Sequence, residues 1–469
     1  MLQDLNINLI NSDQSADVYY QPKVKWRHAN AGIPVRNDTL FVYGLYSPEH
    51  FSHMLYNGLI PLYRTMKKQG GSRDSWMYRA VTSASFPNMG QPLFTADFFN
   101  DGRDIVTDTH SLTSDQQLLL QRDETVCFSK AILGAGVACS LSYYCEQPIE
   151  SDIYQSFRDE ALNYYVTQER WQQHNEHSSI HDTHRDDQAC VETVQISIPS
   201  SNNNNNNNNT KTIAIINRSK SRKITNEQEI VDALKSNYII KQINFDKGCS
   251  LASSAYLMHD VDILISPHGS QEGAALFMKD NSVVVSINAR GYSEDWFAYP
   301  FTAMGRRFYN LECQDMTCIE TDVTMAERIF KNFGVYLPNQ EIIHACASWS
   351  NNQSPDTCIK AYYDNPENAI VLNGKKIENE QAWRASVNYL KEAPRKADLS
   401  RLIPFISKTV QELDDFKNVS YRMLCDMEKC CGYDCDYALA TNVYGSERQG
   451  QMKAWTLDPI SLPKKSWME

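Results

Sequence analysis

Residues 260–288, DVDILISPHGSQEGAALFMKDNSVVVSIN, constrain the fold more than any other stretch of the chain. Val261, Ile263 and Ile265 alternate with Asp262, Leu264 and Ser266, and the chain then meets Pro267, His268 and Gly269 before a run of helical character, 270–278. After a turn at 279–282, Val283, Val284, Val285 and Ile287 form a second short apolar run, of the kind a parallel sheet buries on both faces. The unit reads as strand, tight turn, helix, strand. At the carboxyl end of such a strand the next helix directs its first N–H groups outward, and Gly269 lets a ligand approach the backbone. A diphosphate would sit there.

The preceding segments extend the unit. Ile213, Ile215 and Ile216 make 211–217 an apolar strand, and a helix follows through Leu234, with Thr225 placed to cap it. Residues 238–245 supply the next strand and 251–259 the next helix. The order βαβαβαβ at short spacing predicts a doubly wound parallel sheet, hence an α/β protein. Arg218 and Arg222 fall in the turn after the first strand, where a guanidinium fork matches diphosphate oxygens. Without a ligand, the same turn reads equally well as a solvated basic loop with Lys220 and Lys223.

The first half of the chain carries its own α/β pattern. A buried strand is expected within 38–46, and 50–68 places Phe51, Leu55, Leu59, Leu62 and Met66 at helical spacing despite Pro61. His53 lies in that helix, where a histidine is more often a packed residue than a catalytic one. Residues 76–81 and 91–99 are further strand candidates. A strand over 125–128 leads to Gly134, Ala135 and Gly136, and 152–166 form an amphipathic helix. Between the halves lies a polar insert, 167–210, ending in the asparagine tract 202–209. His174, His177, His181 and His184 would share a face if the insert were helical, but a segment so poor in apolar residues is expected to be disordered and to hold no metal. The resulting partition is 1–166, insert 167–210, 211–335 and a C-terminal extension 336–469, partly helical over 389–415.

With 469 residues there is ample material for two cores, and the net charge of −12 argues against nucleic acid as a partner. No window is apolar enough to span a membrane. Thirteen cysteines and Asn-x-Ser/Thr sequons at Asn37, Asn208, Asn217, Asn352 and Asn418 suit a secretory lumen, ER or Golgi, although no targeting segment is visible in the sequence. Cys346 and Cys358 are one candidate disulfide pair; Cys425, Cys430, Cys431 and Cys435 crowd another site, with spacing unlike a zinc pattern.

INRSKSRKITNEQEIVDAL, followed by DVDILISPHGSQEGAALFM, resembles the signature of glycosyltransferase family 61, which includes GlcNAc transferases and plant xylosyltransferases. Upstream, HFSHMLYNGLIPLY is similar to the family's histidine-containing helix, and TVCFSKAILGAG with the SFRDEAL helix to its middle segment. The resemblance implies a GT-B-like architecture, two Rossmann-like domains facing across a cleft. It implies inverting transfer of GlcNAc or xylose from a UDP-sugar to a hydroxyl of a protein or glycan acceptor, without a divalent metal or other cofactor. Carried onto this chain, Arg218, Arg222, Asn226, His268, Gly269 and Ser270 are the donor-binding residues, and His53 faces the cleft. The chain departs from the pattern at Ser286 and Asn57, where the family commonly has acids. Inverting transfer needs a base, for which His53, Glu272 and Asp295 are the candidates. The alternative is a catalytically silent relative that binds nucleotide sugar or glycan without transfer.

Overall fold

The computed structural model describes residues 5–6, 23–24, 35–44, 51–69, 76–81, 127–133, 149–167, 190, 194–199, 210–246, 249–289, 292, 297, 300–301, 304, 306–312, 318–348 and 354–415. Asp295, the 91–99 strand candidate, Gly134 to Gly136, the four insert histidines, the asparagine tract and Cys425 to Cys435 lie outside them. The chain forms two compact units. One comprises Met1–Val191, Gly248–His259 and Gly273–Met278; the other comprises Glu192–Lys247, Asp260–Glu272 and Lys279–Glu469.

In the first unit, β1 (Val35–Gly44) runs between β2 (Trp76–Val81) and β3 (Cys127–Leu133), parallel to both. The helix expected over 50–68 starts as a π-helical segment, His53–Leu59, and becomes α1 (Ile60–Gln69) at the turn containing Pro61. Pro61 has no N–H to give to the preceding turn, and it stands where the π-helical geometry passes into α-helix. Met54, Leu55, Leu59, Leu62 and Met66 are buried from this element. The helix α2 (Ser151–Leu162) buries Tyr154, Phe157 and Ala161, with Phe157 edge-on to Tyr63 at 5.4 Å. Residues 273–278 are fastened within this unit by Tyr56, whose hydroxyl donates to the Gly273 carbonyl (3.2 Å), and by buried Arg158, whose Nε donates to Met278 O (3.0 Å). A Cβ on Gly273 would stand 3.2 Å from both Ser52 Cβ and Tyr56 Cε2, so glycine is what permits this approach.

The second unit is built on a six-stranded sheet. In chain order its strands are β4 (Gln195–Ser197), β5 (Thr212–Asn217), β6 (Ile239–Asn244), β7 (Ile263–Pro267), β8 (Val283–Asn288) and β9 (Arg307–Glu312), arranged β9-β8-β7-β5-β6-β4. All neighbours are parallel except β4, which adds antiparallel to β6. Every residue of β5, β7 and β8 is buried, as their unbroken apolar runs require. One sheet face, carrying Ile213, Ile215, Ile263, Ile265, Val283 and Val285, packs with Ile230 and Leu234 of α3 (Glu227–Leu234) and with Leu402, Phe405 and Ile406 of α9 (Leu399–Asp415). The crossover segment between β6 and β7 contains α4 (Leu251–Met258), which is grouped with the first unit.

Two expectations are corrected here. Residues 167–210 are not wholly without structure, because the end of the insert supplies β4 and Cys190 is buried in a disulfide with Cys249. Val194, Ile196 and Ile198 alternate with polar residues, a strand pattern masked by the surrounding polarity. The helical run over 389–415 is also interrupted. Helices α5 (Val323–Asn332), α6 (Gln340–Ala347), α7 (Pro355–Asp364) and α8 (Asn379–Glu392) form a cluster around Phe330, Ile343, Ile359 and Tyr389, and the chain then breaks before α9. Pro394 explains the break, since it pushes Ala393 out of the helical region, to φ −58°, ψ 141°. The expected Cys346–Cys358 disulfide is present and ties α6 to α7, and Cys318 is also disulfide-bonded. Among the described residues, no helix is long and apolar enough to cross a membrane.

Candidate functional site

The strand order places a topological switch point between β5 and β7. Successive connections leave β5 in one direction and β7 in the other, and ligands of open α/β sheets bind beyond the carboxyl ends of such a pair. The turn after β5 carries Arg218 and Arg222; the turn after β7 carries His268 and Gly269. The two turns meet. Arg222 Nη1 donates to the His268 carbonyl at 3.3 Å, and Arg218 Nη1 lies 3.1 Å from where a Gly269 Cβ would stand. That Cβ would also fall 2.6 Å from Gln271 Oε1, so a side chain here would displace the ends of Gln271 and Arg218, at a backbone conformation any residue adopts.

The arginine turn is shaped by its first and last residues. Asn217 Oδ1 accepts from the N–H groups of Arg218 (2.8 Å) and Ile224 (2.9 Å), while Nδ2 donates to Ile224 O and to Glu227. This side chain closes the loop as a staple. It is buried, so the Asn217 sequon is not open to glycosylation in the folded protein. Arg222 adopts φ 59°, a left-handed conformation that costs a non-glycine residue roughly 1 kcal/mol or more. Retaining a long cationic side chain in that conformation points to a use for the guanidinium.

A third arginine and one carboxylate complete the cluster, both from the segment that Pro394 creates. Glu392 Oε1 accepts from Arg222 Nε (3.0 Å) and Nη2 (2.5 Å), and its carbonyl accepts from Arg222 N–H (2.8 Å). Residues 392–397 are strapped along the turn: Arg395 N–H donates to Lys223 O, Thr225 N–H to Arg395 O, and the Asn226 amide exchanges two bonds with Ala397. The other side of the strap bonds to residues 318–320 through Lys396 N–H to Cys318 O and Glu320 N–H to Pro394 O. Arg395 is fully buried and caps α8, its Nε and Nη2 donating to the carbonyls of Leu390, Lys391 and Ala393. Its Nη1 has no hydrogen-bonding partner among the described residues.

The electrostatics follow from this crowding. Burial, reinforced by Arg222, pushes the Arg395 pKa down to about 10, and burial with the neighbouring Arg222 also lowers that of Arg218. Burial opposes the charge on Glu392, but Arg222, the bond from Ser221 and Arg218 outweigh it and hold the carboxyl below its usual range. Three guanidiniums thus surround one carboxylate, with Asp246 acting further out on Arg218. An anion entering this edge of the sheet gains positive charge already in place.

The remaining candidates fall into distinct settings. His268 is buried, its ring 6.0 Å from those of Tyr292 and Phe297 and its Nδ1 3.5 Å from Glu272 Oε2. Glu272 is completely buried. Ser270 opens the 3₁₀ helix Ser270–Phe277, whose first bond runs from Glu272 N–H to Gly269 O. Asn226 is committed to the strap. Ser286 is fully buried within β8, in register with Ser266, and receives a bond from Asn288 Nδ2. His53 belongs to the first unit, on the π-helical segment, with Nδ1 2.9 Å from Asn57 Oδ1.

An open α/β sheet with a cationic switch point offers an anionic ligand a binding edge. The family model described as Glycosyltransferase 61 matches residues 51–285, half of the chain, and the protein belongs to that family. No curated protein matches the chain. Among solved structures, a glycosyl transferase of family 9 from Veillonella parvula DSM 2008 aligns over 69% of this chain and 97% of its own, at 9% identity and a TM-score of 0.25. Likeness at that level specifies no chemistry.

Proposed function

We propose that this glycosyltransferase 61 member transfers a sugar, GlcNAc or xylose, from a UDP donor to a hydroxyl of a protein or glycan acceptor, with inversion and without a metal ion. The observation that carries the reading is the meeting of Arg218, Arg222 and the His268-Gly269 turn at the β5/β7 switch point. As the sugar leaves, negative charge grows on the diphosphate, and fixed guanidiniums that meet it there stabilise the transition state more than the ground state. The positive charge a metal would otherwise bring is supplied by arginine. The two units would correspond to the Rossmann-like halves of a GT-B arrangement, the second holding the donor.

His53, Glu272 and Asp295 are the candidate bases, and the bond between His53 and Asn57 supports the first by orienting its ring. A catalytically silent nucleotide-sugar binder is the second reading, favoured by the neutral Ser286 and Asn57 where the family pattern has acids. The disulfides Cys190–Cys249 and Cys346–Cys358 support a home in the ER or Golgi lumen. Incubation with a panel of nucleotide sugars and glycan or protein acceptors tests the reading. Release of UDP from one UDP-sugar is expected; UDP binding without release would select the silent relative, and neither would reject the donor site.

A further inference from the structure

The family match ends at residue 285, yet the arginine cluster is completed by residues 392–397. Glu392 is a carboxylate bonded to this cluster, and it lies on the Nε/Nη2 edge of Arg222. We propose that Glu392 is the fixed counter-anion of the donor site and a specificity-determining residue, one that sets the cluster to hold a nucleotide sugar while letting free UDP depart. The inference rests on the donor-site reading above.

Charge distinguishes donor from product. A UDP-sugar carries its diphosphate as a diester, whereas free UDP exposes a terminal phosphate whose second ionisation, with a pKa near 6, adds roughly one further negative charge at neutral pH. Each added ligand charge is attracted by the arginines and repelled by Glu392. The repulsive contribution of a fixed carboxylate therefore falls more heavily on product than on donor. Its geometry suits this task, because both Arg222 donors converge on Oε1 while the backbone bond from Arg222 N–H to Glu392 O ties the two residues together independently of the carboxylate. The carboxylate is 25% exposed, so it is open enough to act on a ligand and buried enough to escape full screening.

Glu392→Gln separates charge from position, since the amide oxygen keeps an acceptor for Arg222. Titration calorimetry with UDP, UDP-GlcNAc, UDP-xylose and uridine on wild-type and variant proteins reads the effect. With a strongly screened carboxylate acting on about two negative charges of a UDP-sugar and about three of UDP, the variant is expected to bind UDP-sugars roughly tenfold tighter and UDP roughly thirtyfold tighter. Uridine affinity should stay within about twofold, and the gain should shrink as salt is raised. Unchanged or weaker UDP binding in a folded Glu392→Gln variant would overturn the proposal, and so would equal tightening of UDP and uridine. A carboxylate that served only to align Arg222 would give weaker UDP binding on removal. Glu392→Asp retains the charge and provides a second arm: it should leave the ratio of UDP to uridine affinity within about twofold of wild type, and a tightening there would also overturn the proposal. Wild-type protein that binds no UDP would reject the donor site itself, a failure distinct from that of Glu392.

Discussion

Replacing Arg218 by alanine removes the guanidinium that lies against Gly269 and keeps the rest of the turn. Arg218 is the better probe of the two arginines. Arg222→Ala would leave the Glu392 carboxylate half-buried without its partner, which costs about 1–3 kcal/mol of stability, whereas the sequence alone gives both residues as ligand groups outside the core. Arg218 is crowded by the like charge of Arg222, and burial already disfavours its charge, so its removal should change the melting temperature little. A guanidinium bonded to a phosphate contributes about 1.5–3 kcal/mol. UDP binding should therefore weaken by roughly tenfold to 150-fold, with uridine binding nearly unchanged. Transfer should fall at least as far as binding, because the diphosphate gains charge in the transition state. Calorimetric titration with UDP and uridine, alongside thermal melting, separates these effects. An Arg218→Ala protein that melts like wild type and binds UDP with unchanged affinity would refute the reasoning.

Other expectations follow from the same contacts. Asn217→Ala opens the loop between Arg218 and Ile224 and should cost about 1–3 kcal/mol in denaturant unfolding, with UDP affinity reduced as well; a variant as stable as wild type would show that the staple is dispensable. Gly273→Val forces a branched side chain against Ser52 and Tyr56 and should destabilise the first unit by about 1–3 kcal/mol, measurable as a lower melting temperature. Peptide mapping without reduction should recover Cys190 joined to Cys249 and Cys346 joined to Cys358 in protein made through a secretory pathway; free thiols at these positions would count against a lumenal protein.

The sheet that frames the proposed donor site was legible because each of its signals is local. The apolar runs of β5, β7 and β8 are short, unbroken and separated by turns, and their lengths allow little besides a buried parallel sheet. The convergence of the arginine turn with the His268-Gly269 turn follows from that topology. The strap was not legible, since Glu392 and Arg395 are about 170 residues from the turn they bond, and no local pattern encodes so distant a pairing. Pro394 inside a helical run was the available sign that 392–397 leave the helix. Strand β4 was obscured for a compositional reason, as three alternating apolar residues stood in a segment judged by its asparagines and histidines. The two-sided role of Arg222, partner to Glu392 and neighbour of His268, arises only from the tertiary fold.

The central claim is that the β5/β7 switch point holds a nucleoside diphosphate. A crystal structure of the protein with UDP tests it most directly. The account predicts phosphate oxygens within about 3 Å of the Arg218 and Arg222 guanidiniums and of the backbone N–H groups at Gly269 and Ser270. A diphosphate bound elsewhere in the chain, with both arginines out of its reach, would contradict it.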